Sequence, residues 1–217
     1  MEAFLSKAVL WDLDGTLVDS AEYHWIAWRD TLAAEGVPIT YEQFLESFGQ
    51  KNDRILNGWL DNPSADTIAR IGESKEAEYR RLAAARGLSP LPGAAEWLAR
   101  LHAAGWRQAV ASSAPRLNVE VVLEALALQD YFDAIASAED VSAGKPDPQV
   151  FLAAASRLDV APSRCVVVED AAAGVEAARR AAMRSVGVSR TERLDADISV
   201  GSLEELPSDA FDRLLQP

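Results

Sequence analysis

The sequence predicts an α/β protein in which a parallel sheet is interrupted, after its first strand, by an all-helical insertion. Two observations predict this class. From about residue 90 onward, short apolar runs alternate with helical patterns of about a dozen residues, which is typical of βαβ units and a parallel sheet. Between the first apolar run and residue 89, the patterned segments have helical spacing alone.

The first predicted strand covers residues 8–12, a short apolar run that ends in Asp12 and is followed by Gly15. Such a run, bounded by a turn residue, predicts a buried strand that leads into a loop. Helical spacing then follows in EYHWIAWRDTLAAEG, YEQFLESF, NDRILNGWL and ADTIARIGESKEAEYRRLAAARG. Gly36 and Gly87 stand where helix C-caps are expected.

The segment SPLPG, residues 89–93, predicts a linker that returns the chain to the sheet. Beyond it, the predicted strands are RQAVAS, FDAIAS, CVVVED and SVGV, with helical patterns before and between them. We therefore predict two domains: a core formed by residues 1–19 and 90–217, and a helical cap formed by residues 20–89.

Polar side chains stand at the ends of three predicted strands, namely Asp12, Ser112, and Glu169 with Asp170. Lys145 lies in the loop that follows FDAIAS. Ligands of an open parallel sheet bind at the carboxyl ends of its strands. We therefore expect these side chains to meet at one edge of the sheet, although they are far apart in the sequence.

The charge balance restricts the partners. The 217 residues include 34 acidic and 21 basic side chains, which gives a formal net charge of −13. A chain this acidic repels nucleic-acid phosphates and anionic membrane surfaces, so we expect neither as a partner. The same field repels a small phosphate ester, so any phosphate site must be locally positive through a metal, a lysine or helix N-termini.

Cys165 is the single cysteine, which rules out an internal disulfide and fits a reducing compartment. The first residues lack the basic start and the long apolar stretch of a secretory signal. No apolar run approaches the roughly 20 residues that span a bilayer. We therefore expect a cytoplasmic protein, and a monomer, because nothing in the sequence marks an interface.

The predicted cluster suits phosphoryl transfer. A phosphate monoester repels nucleophiles, so an enzyme that cleaves it needs a nucleophile, a hard cation and a fixed positive charge. Asp12 can attack phosphorus, and Mg²⁺ can bind Asp12, Asp170 and a loop carbonyl at Asp14. Lys145 and the Ser112 hydroxyl can then neutralise the phosphoryl oxygens, which leaves the Asp14 carboxyl to transfer protons.

Each of these features has an ordinary structural explanation when it is taken alone. The acidic pair before Gly15 can be a solvated turn, and Glu169 with Asp170 can cap the next helix. Lys145 can be a surface lysine and Ser112 a helix N-cap. A calcium loop is disfavoured, because its glycine and its final glutamate are not at the required spacing. All four features in this order, at strand ends, favour an enzyme.

Four segments, WDLDGTLVDS, AVASSAP, GKPDP and VVVEDAAAG, resemble the four motifs of the haloacid dehalogenase-like phosphatase superfamily, in the family's order. The resemblance covers nearly the whole chain. It implies a Rossmann-like parallel-sheet core with a mobile helical cap, and an aspartyl-phosphate intermediate on Asp12 with Asp14 as general acid and base. It also implies Mg²⁺ held by Asp12, Asp170 and the Asp14 backbone, with Glu169 acting through water.

The cap resembles the β-phosphoglucomutase branch of that superfamily. AEYH followed by A-W is similar to its hinge segment, in which a histidine couples the acid–base step to the cap, and His24 holds that place here. Lys75, in SKEAEY, resembles a cap lysine that reaches the substrate. The ordinary alternatives are a solvated histidine and a solvated lysine on helices.

The resemblance to the mutase is incomplete. Asn52 stands where we would place the arginine that binds the second phosphate of a sugar bisphosphate, and Lys51 or Arg54 would have to replace it. Ala171 stands in place of a serine, and the segment before Asn118 lacks the expected lysine. These departures disfavour bisphosphate binding, which a mutase requires and a phosphatase does not.

We therefore expect a Mg²⁺-dependent phosphatase of small phosphorylated metabolites, in particular sugar phosphates. The alternatives are a β-phosphoglucomutase-type mutase with the same aspartate, a dehalogenase, and a catalytically silent binding protein. Asp14 and the Glu169–Asp170 pair argue against dehalogenation. The residues predicted to lie around the substrate are Gly15, His24, Lys51, Asn52, Lys75, Ser113 and Asn118.

Overall fold

A computed structural model describes residues 6–216, so residues 1–5 and 217, which the predicted core includes, lie outside the described residues. The chain forms a six-stranded sheet in the order β3-β2-β1-β4-β5-β6, and every pair of neighbours is parallel. The strands are β1 (Ala8–Trp11), β2 (Arg107–Ala111), β3 (Ala134–Ala136), β4 (Cys165–Glu169), β5 (Arg184–Val188) and β6 (Ile198–Val200). This is the doubly wound, Rossmann-like order, and the predicted fold class is confirmed.

Within residues 6–216, four α-helices lie between β1 and the predicted linker at residues 89–93, and five more belong to the crossovers and the C-terminal part. The helices are α1 (Ala21–Ala34), α2 (Tyr41–Ser47), α3 (Asn52–Trp59), α4 (Ala65–Arg86), α5 (Ala94–Ala103), α6 (Arg116–Ala125), α7 (Gln149–Arg157), α8 (Ala172–Arg180) and α9 (Ala210–Leu214). Among the helices of residues 6–216, none has the length and apolar character needed to cross a membrane.

Local signals explain several helix ends. The Thr40 hydroxyl accepts a hydrogen bond from the Gln43 backbone N–H, and the Gln43 side chain accepts one from the Thr40 N–H, which is a capping box before α2. Ser64 caps α4 through the N–H of Thr67, and Gly87 ends that helix with φ +77°. The predicted division of the chain into domains at residues 20 and 89 stays a prediction.

Both faces of the sheet are covered. Side chains alternate between the faces of a strand, so Val9 and Trp11 join a cluster with α5, α6 and α9. Ala8 and Leu10 join the opposite cluster, with α7 and α8. All four residues of β1 are fully buried, which explains why that strand is a continuous apolar run.

The four helices α1–α4, which we call the cap helices, have a smaller cluster of their own. It consists of Trp28, Leu32, Phe44, Ile55, Leu56 and Ile71, which come from all four helices between β1 and α5. Ile26 of α1 and Tyr79 of α4 instead pack into the main core cluster. The cap is therefore tied to the sheet through one side of α1 and one side of α4.

Two glycines allow a test of the packing between α5 and the C-terminal segment. Gly93 and Gly36 have φ values of +83° and +75°, but a Cβ at Gly93 would lie 2.8 Å from the Glu204 nitrogen, whereas a Cβ at Gly36 meets nothing within 4 Å. We expect Gly36→Ala to lower the free energy of unfolding by about 1 kcal/mol through backbone strain. Gly93→Ala should cost about 1–3 kcal/mol more through the collision.

Urea denaturation of the two variants and the wild type measures this difference. Gly36→Ala is the matched control, because it changes the same residue type at a similar positive φ. Equal losses in the two variants would contradict the close packing of Gly93 against Glu204.

Candidate active site

The order of the strands brings the predicted site residues together. Asp12 directly follows β1, Ser112 directly follows β2, and Glu169 is the last residue of β4. β1 lies between β2 and β4 in the sheet, so the three strand ends are neighbours at one edge. The Asp12 backbone N–H donates to the Val168 carbonyl at 3.0 Å, which fixes the start of the loop against β4.

Three carboxylates converge at this edge. Asp12, Glu169 and Asp170 each offer one oxygen, and these three oxygens lie within 4.8 Å of one another. The Lys145 ammonium donates to Asp12 Oδ1 at 2.5 Å and also to Glu169 Oε1. Lys145 is 5% exposed and Glu169 1% exposed, so both are buried, whereas Asp170 is partly exposed.

Burial and the repulsion between the carboxylates together outweigh the attraction of the lysine. Burial raises the pKa of Asp12 to about 7, with Lys145 opposing the rise and Glu169 adding to it. Burial, Glu169 and Asp12 together raise the pKa of Asp170 well above its ordinary value. Burial alone would lower the pKa of Lys145, but Asp12 and Glu169 hold it above its ordinary value. The cluster therefore has an excess of negative charge.

A divalent cation fits this cluster. Carboxylate oxygens are the ligands of hard cations such as Mg²⁺ and Ca²⁺. Three acidic groups opposed by one ammonium leave two negative charges when all are ionised, which a divalent ion balances. The structure thus supports a candidate metal site at Asp12, Glu169 and Asp170.

Two glycines permit the backbone to approach these carboxylates. Gly15 has φ +88°, and a Cβ there would collide with the Asp170 carboxylate. A Cβ at Gly174, in the first turn of α8, would collide with the Glu169 carboxylate. Gly15, which we predicted near the substrate, therefore lies against the carboxylate cluster. The Thr16 hydroxyl adds a donor to Asp170 Oδ1 at 3.4 Å.

Asp14 is held by a second, separate set of contacts. Its Oδ1 accepts hydrogen bonds from the Ser20 hydroxyl at 2.5 Å and from His24 Nε2 at 3.1 Å. The Lys75 ammonium lies 2.9 Å from His24 Nδ1. An ammonium can only donate, so Nδ1 must accept and Nε2 must carry the proton. The neutral imidazole, stacked on Tyr79 with ring centroids 4.0 Å apart, thus joins Lys75 of the cap to Asp14 of the core.

These donors decide the charge of Asp14. Burial alone would raise the pKa of Asp14, but His24 and Ser20 donate to its carboxylate and hold the pKa below its usual value. Asp12 and Asp14 are two residues apart, yet their pKa values move in opposite directions. Two carboxyl groups with different environments can take different roles in one reaction.

A cleft between the cap and the core collects most of the predicted substrate residues. Its lining includes Asp12, Asp14, His24, Trp28, Phe44, Asn52, Lys75, Glu76, Ser112 and Ser113. A second opening adjoins it on the side of the carboxylate cluster and is lined by Gly15, Asp19, Lys145, Glu169 and Asp170, among others. Asp12 lines both spaces, so it lies where they meet.

The side chains of Lys51 and Arg54 contact the core loop after β3 and do not line the cleft. The Lys51 ammonium donates to the carbonyls of Ala138 at 3.0 Å and Val141 at 2.9 Å, in the core loop after β3. The Arg54 guanidinium lies 3.5 Å from the Lys145 carbonyl in the same loop. Neither side chain lines the cleft as the structure describes it. Both residues connect the cap to the loop that presents Lys145.

Sequence reasoning missed Ser20, Thr16 and Glu76. The hydroxyls of Ser20 and Thr16 lie within WDLDGTLVDS, so a search for donors to the two aspartates could have found them. Glu76 follows Lys75 on a helix whose buried positions include Ile71, Gly72 and Tyr79. Two charged residues on the buried face of an amphipathic helix are a signal of a polar network.

The comparisons with known proteins agree with this geometry. A family model described as haloacid dehalogenase-like hydrolase matches residues 6–182. The chain belongs to this family. This haloacid dehalogenase-like hydrolase is 34% identical over 208 residues to beta-phosphoglucomutase of Bacillus subtilis (strain 168). The matched region covers 92% of this chain and 91% of the relative.

Two further members are similarly close. Hexitol phosphatase B of Escherichia coli (strain K12) is 33% identical over 207 residues, covering 92% of this chain and 93% of the relative. A crystal structure of beta-phosphoglucomutase from Clostridium difficile has a TM-score of 0.87 and 31% identity, covering 97% of each chain. The predicted family is confirmed, and these relatives are named for a mutase and a phosphatase, both phosphoryl-transfer enzymes.

Replacing Asp170 tests whether the carboxylate cluster binds a metal ion. In metal-free buffer, Asp170→Asn should be at least as stable as the wild type, because the variant lacks one of three repelling carboxylates. With Mg²⁺ as the probe, the same variant should bind at least about tenfold more weakly, which corresponds to about 1.4 kcal/mol. Calorimetric titration and thermal unfolding with and without Mg²⁺ measure both effects.

Asp19→Asn is the matched control, because Asp19 is exposed at the same opening but does not belong to the cluster. Wild-type Mg²⁺ affinity in Asp170→Asn would show that the cluster does not bind the ion.

Proposed function

We propose that this protein is a Mg²⁺-dependent phosphatase of small phosphorylated metabolites, with sugar phosphates as the substrate class. The observation that carries the proposal is the position of Asp12. It lies at the end of β1, contacts Lys145, belongs to the carboxylate cluster and lines the same cleft as Asp14. A nucleophile, a proton-transfer group and a cation site thus meet at one point.

The reaction proceeds in two displacements. An Asp12 carboxylate oxygen attacks phosphorus and the bond between phosphorus and the ester oxygen breaks. The leaving oxygen takes a proton from Asp14, which must be protonated for this step although His24 and Ser20 favour its ionised form. Water then attacks the phosphorus of the aspartyl phosphate and gives its proton to Asp14, which releases inorganic phosphate and restores Asp12. Asp14 is suited to this transfer, because Ser20 and His24 fix its carboxylate beside Asp12.

The Mg²⁺ ion would be held by the carboxylates of Asp12 and Asp170 and by the Asp14 carbonyl, with Glu169 acting through water. When bound, it supplies positive charge to the phosphoryl oxygens and to the attacking carboxylate. Lys145 holds Asp12 Oδ1 in place and adds a fixed positive charge beside the phosphoryl group.

Ser112 is placed to bind the phosphoryl group. Its hydroxyl oxygen accepts a hydrogen bond from the Ala114 N–H at 3.0 Å, which leaves the hydroxyl proton free for donation. Ser112 lines the cleft together with Ser113 and Asp12. A donor fixed in this way favours the charge that develops on phosphoryl oxygens in the transition state.

A mutase of the β-phosphoglucomutase type is the second candidate. The chain of contacts from Asp14 through His24 to Lys75 favours it, because this chain would couple proton transfer to the position of the cap. Asn52 disfavours it, because Asn52 stands where we would place the arginine that binds the second phosphate. The amide of Asn52 instead donates to Glu76 at 2.7 Å. A mutase must also hold a sugar bisphosphate in either orientation and keep water from the phosphoenzyme.

Asp12→Asn tests the nucleophile. The amide cannot form an acyl phosphate, so release of phosphate from the best substrate of a hexose and pentose phosphate panel should fall at least about a thousandfold. Circular dichroism and thermal unfolding verify the fold of the variant. Asp19→Asn, with the same change of charge, should keep its turnover, and turnover of Asp12→Asn within tenfold of the wild type would remove Asp12 from the mechanism.

Phosphorus NMR distinguishes the two candidate functions. The protein is incubated with Mg²⁺, β-glucose 1-phosphate and a trace of glucose 1,6-bisphosphate, and hexose and pentose phosphates are tested in parallel. We expect inorganic phosphate to grow well beyond one equivalent per protein. Conversion to glucose 6-phosphate without free phosphate would establish the mutase instead.

A further inference from the structure

The proposed mechanism leaves one buried charge in the cleft without a role. Glu76, on α4, is 5% exposed and lines the cleft together with Asp12 and Asp14. A charged side chain that is withdrawn from water must be satisfied by close partners. The partners of Glu76 show what this end of the cleft can accept.

Both carboxylate oxygens of Glu76 are occupied by donors. Oε1 accepts from the Lys75 ammonium at 2.8 Å and from the Asn52 amide at 2.7 Å. Oε2 accepts from the amide of Asn118, a buried residue of the core helix α6. The Arg80 guanidinium donates to Asn118 Oδ1 at 2.7 Å, which turns the amide nitrogen of Asn118 toward Glu76. Cap and core thus hold the carboxylate jointly.

These donors keep Glu76 ionised. Burial alone would raise the pKa of Glu76, but the ammonium of Lys75 and the hydrogen bond from Asn52 hold it below its usual value. Lys75 is 3% exposed, and its ammonium is used by Glu76 and by His24 Nδ1. Among the described residues that line this cleft, the charged side chains are Lys75 and the acids Asp12, Asp14 and Glu76.

The cap end of the cleft therefore holds no uncommitted positive charge. Lys75 and Glu76 form an ion pair at 2.8 Å, so together they contribute no net charge. A second phosphate placed there would lie beside an ionised carboxylate in a shielded site, where like charges repel strongly. A hydroxyl group would instead find an acceptor, because Oε2 has one hydrogen bond within the described residues and a carboxylate oxygen has two lone pairs.

We propose that Glu76 is a specificity-determining residue that excludes a second phosphate from the cap end of the cleft and selects phosphate monoesters with a neutral, hydroxyl-bearing far end. This inference rests on the proposed function, because it concerns the substrate of the same site. It adds a repulsive element against bisphosphates to the contacts that favour monophosphates.

Binding without turnover tests the proposal. In an Asp12→Asn background with Mg²⁺, calorimetric titration gives the dissociation constants of a panel of hexose and pentose monophosphates and of the corresponding bisphosphates. We expect each bisphosphate to bind at least about tenfold more weakly than the best of its monophosphates. Adding Glu76→Gln should lower the ratio of the bisphosphate to the monophosphate dissociation constant at least about tenfold, a change of about 1.4 kcal/mol.

Glu73→Gln is the matched control, because Glu73 is exposed on the same helix and the substitution makes the same change of charge. The ratio of dissociation constants in this control should equal that of the Asp12→Asn variant alone. An unchanged ratio in Glu76→Gln, or an equal change in Glu73→Gln, would overturn the proposal.

Binding to the Asp12→Asn variant alone also tests the proposal, even if the variant with Glu76→Gln fails to fold. Bisphosphates that bind as tightly as the monophosphates, or a panel in which no monophosphate binds, would also overturn the proposal. Phosphate release by the unmodified protein tests the proposed function separately. A shifted ratio in Glu76→Gln without such release would leave the selectivity standing and reject the phosphatase.

Discussion

The surrounding structure is organised around the crowding of Asp12, Glu169 and Asp170 around the ammonium of Lys145. Three carboxylates beside one buried lysine have an excess of negative charge, and the raised pKa values of Asp12 and Asp170 follow from burial and from this repulsion. The sheet imposes the arrangement, because β1 and β4 are neighbours and end at the same edge. Such a cluster is stable only if a cation or protons balance it.

The rest of the site is built to keep that cluster while leaving Asp12 accessible. Gly15 and Gly174 let the backbone come close to the carboxylates from two sides. Asp14 has its own donors, so it stays outside the cluster although it lies two residues from Asp12. The cap contributes through His24, and through Lys51, which fastens the cap to the core loop after β3. Side chains from the cap helices and from the sheet edge thus line the cleft together.

Sequence reasoning could locate the edge of the sheet but not the contacts of the cap. Asp12, Ser112 and Glu169 could be placed because each directly follows or ends an apolar run, and parallel strands gather their ends. The short strand Ile198–Val200 was not predicted, because three half-buried residues without a strong pattern give little signal. The end of a strand can be recognised from the few residues around it, so the sequence alone places the side chains at the sheet edge.

The cap residues depend instead on how two parts of the chain pack together. We expected Lys51 near the substrate, but its backbone before α3 is extended, and its side chain reaches the carbonyls of Ala138 and Val141. The partnership of Glu76 with Asn118 joins residues 42 positions apart. No pattern within either helix specifies that contact, so it emerges only from the folded chain.

The central claim is that Asp12 carries the phosphoryl group during the reaction. Reduction with borohydride under turnover, followed by mass spectrometry of the peptide that contains residue 12, tests it most directly, because an acyl phosphate is reduced and a free carboxylate is not. Our account predicts homoserine at position 12, dependent on substrate and Mg²⁺ and absent without either. An unmodified Asp12 under conditions of steady phosphate release, or homoserine at Asp14 instead, would contradict it.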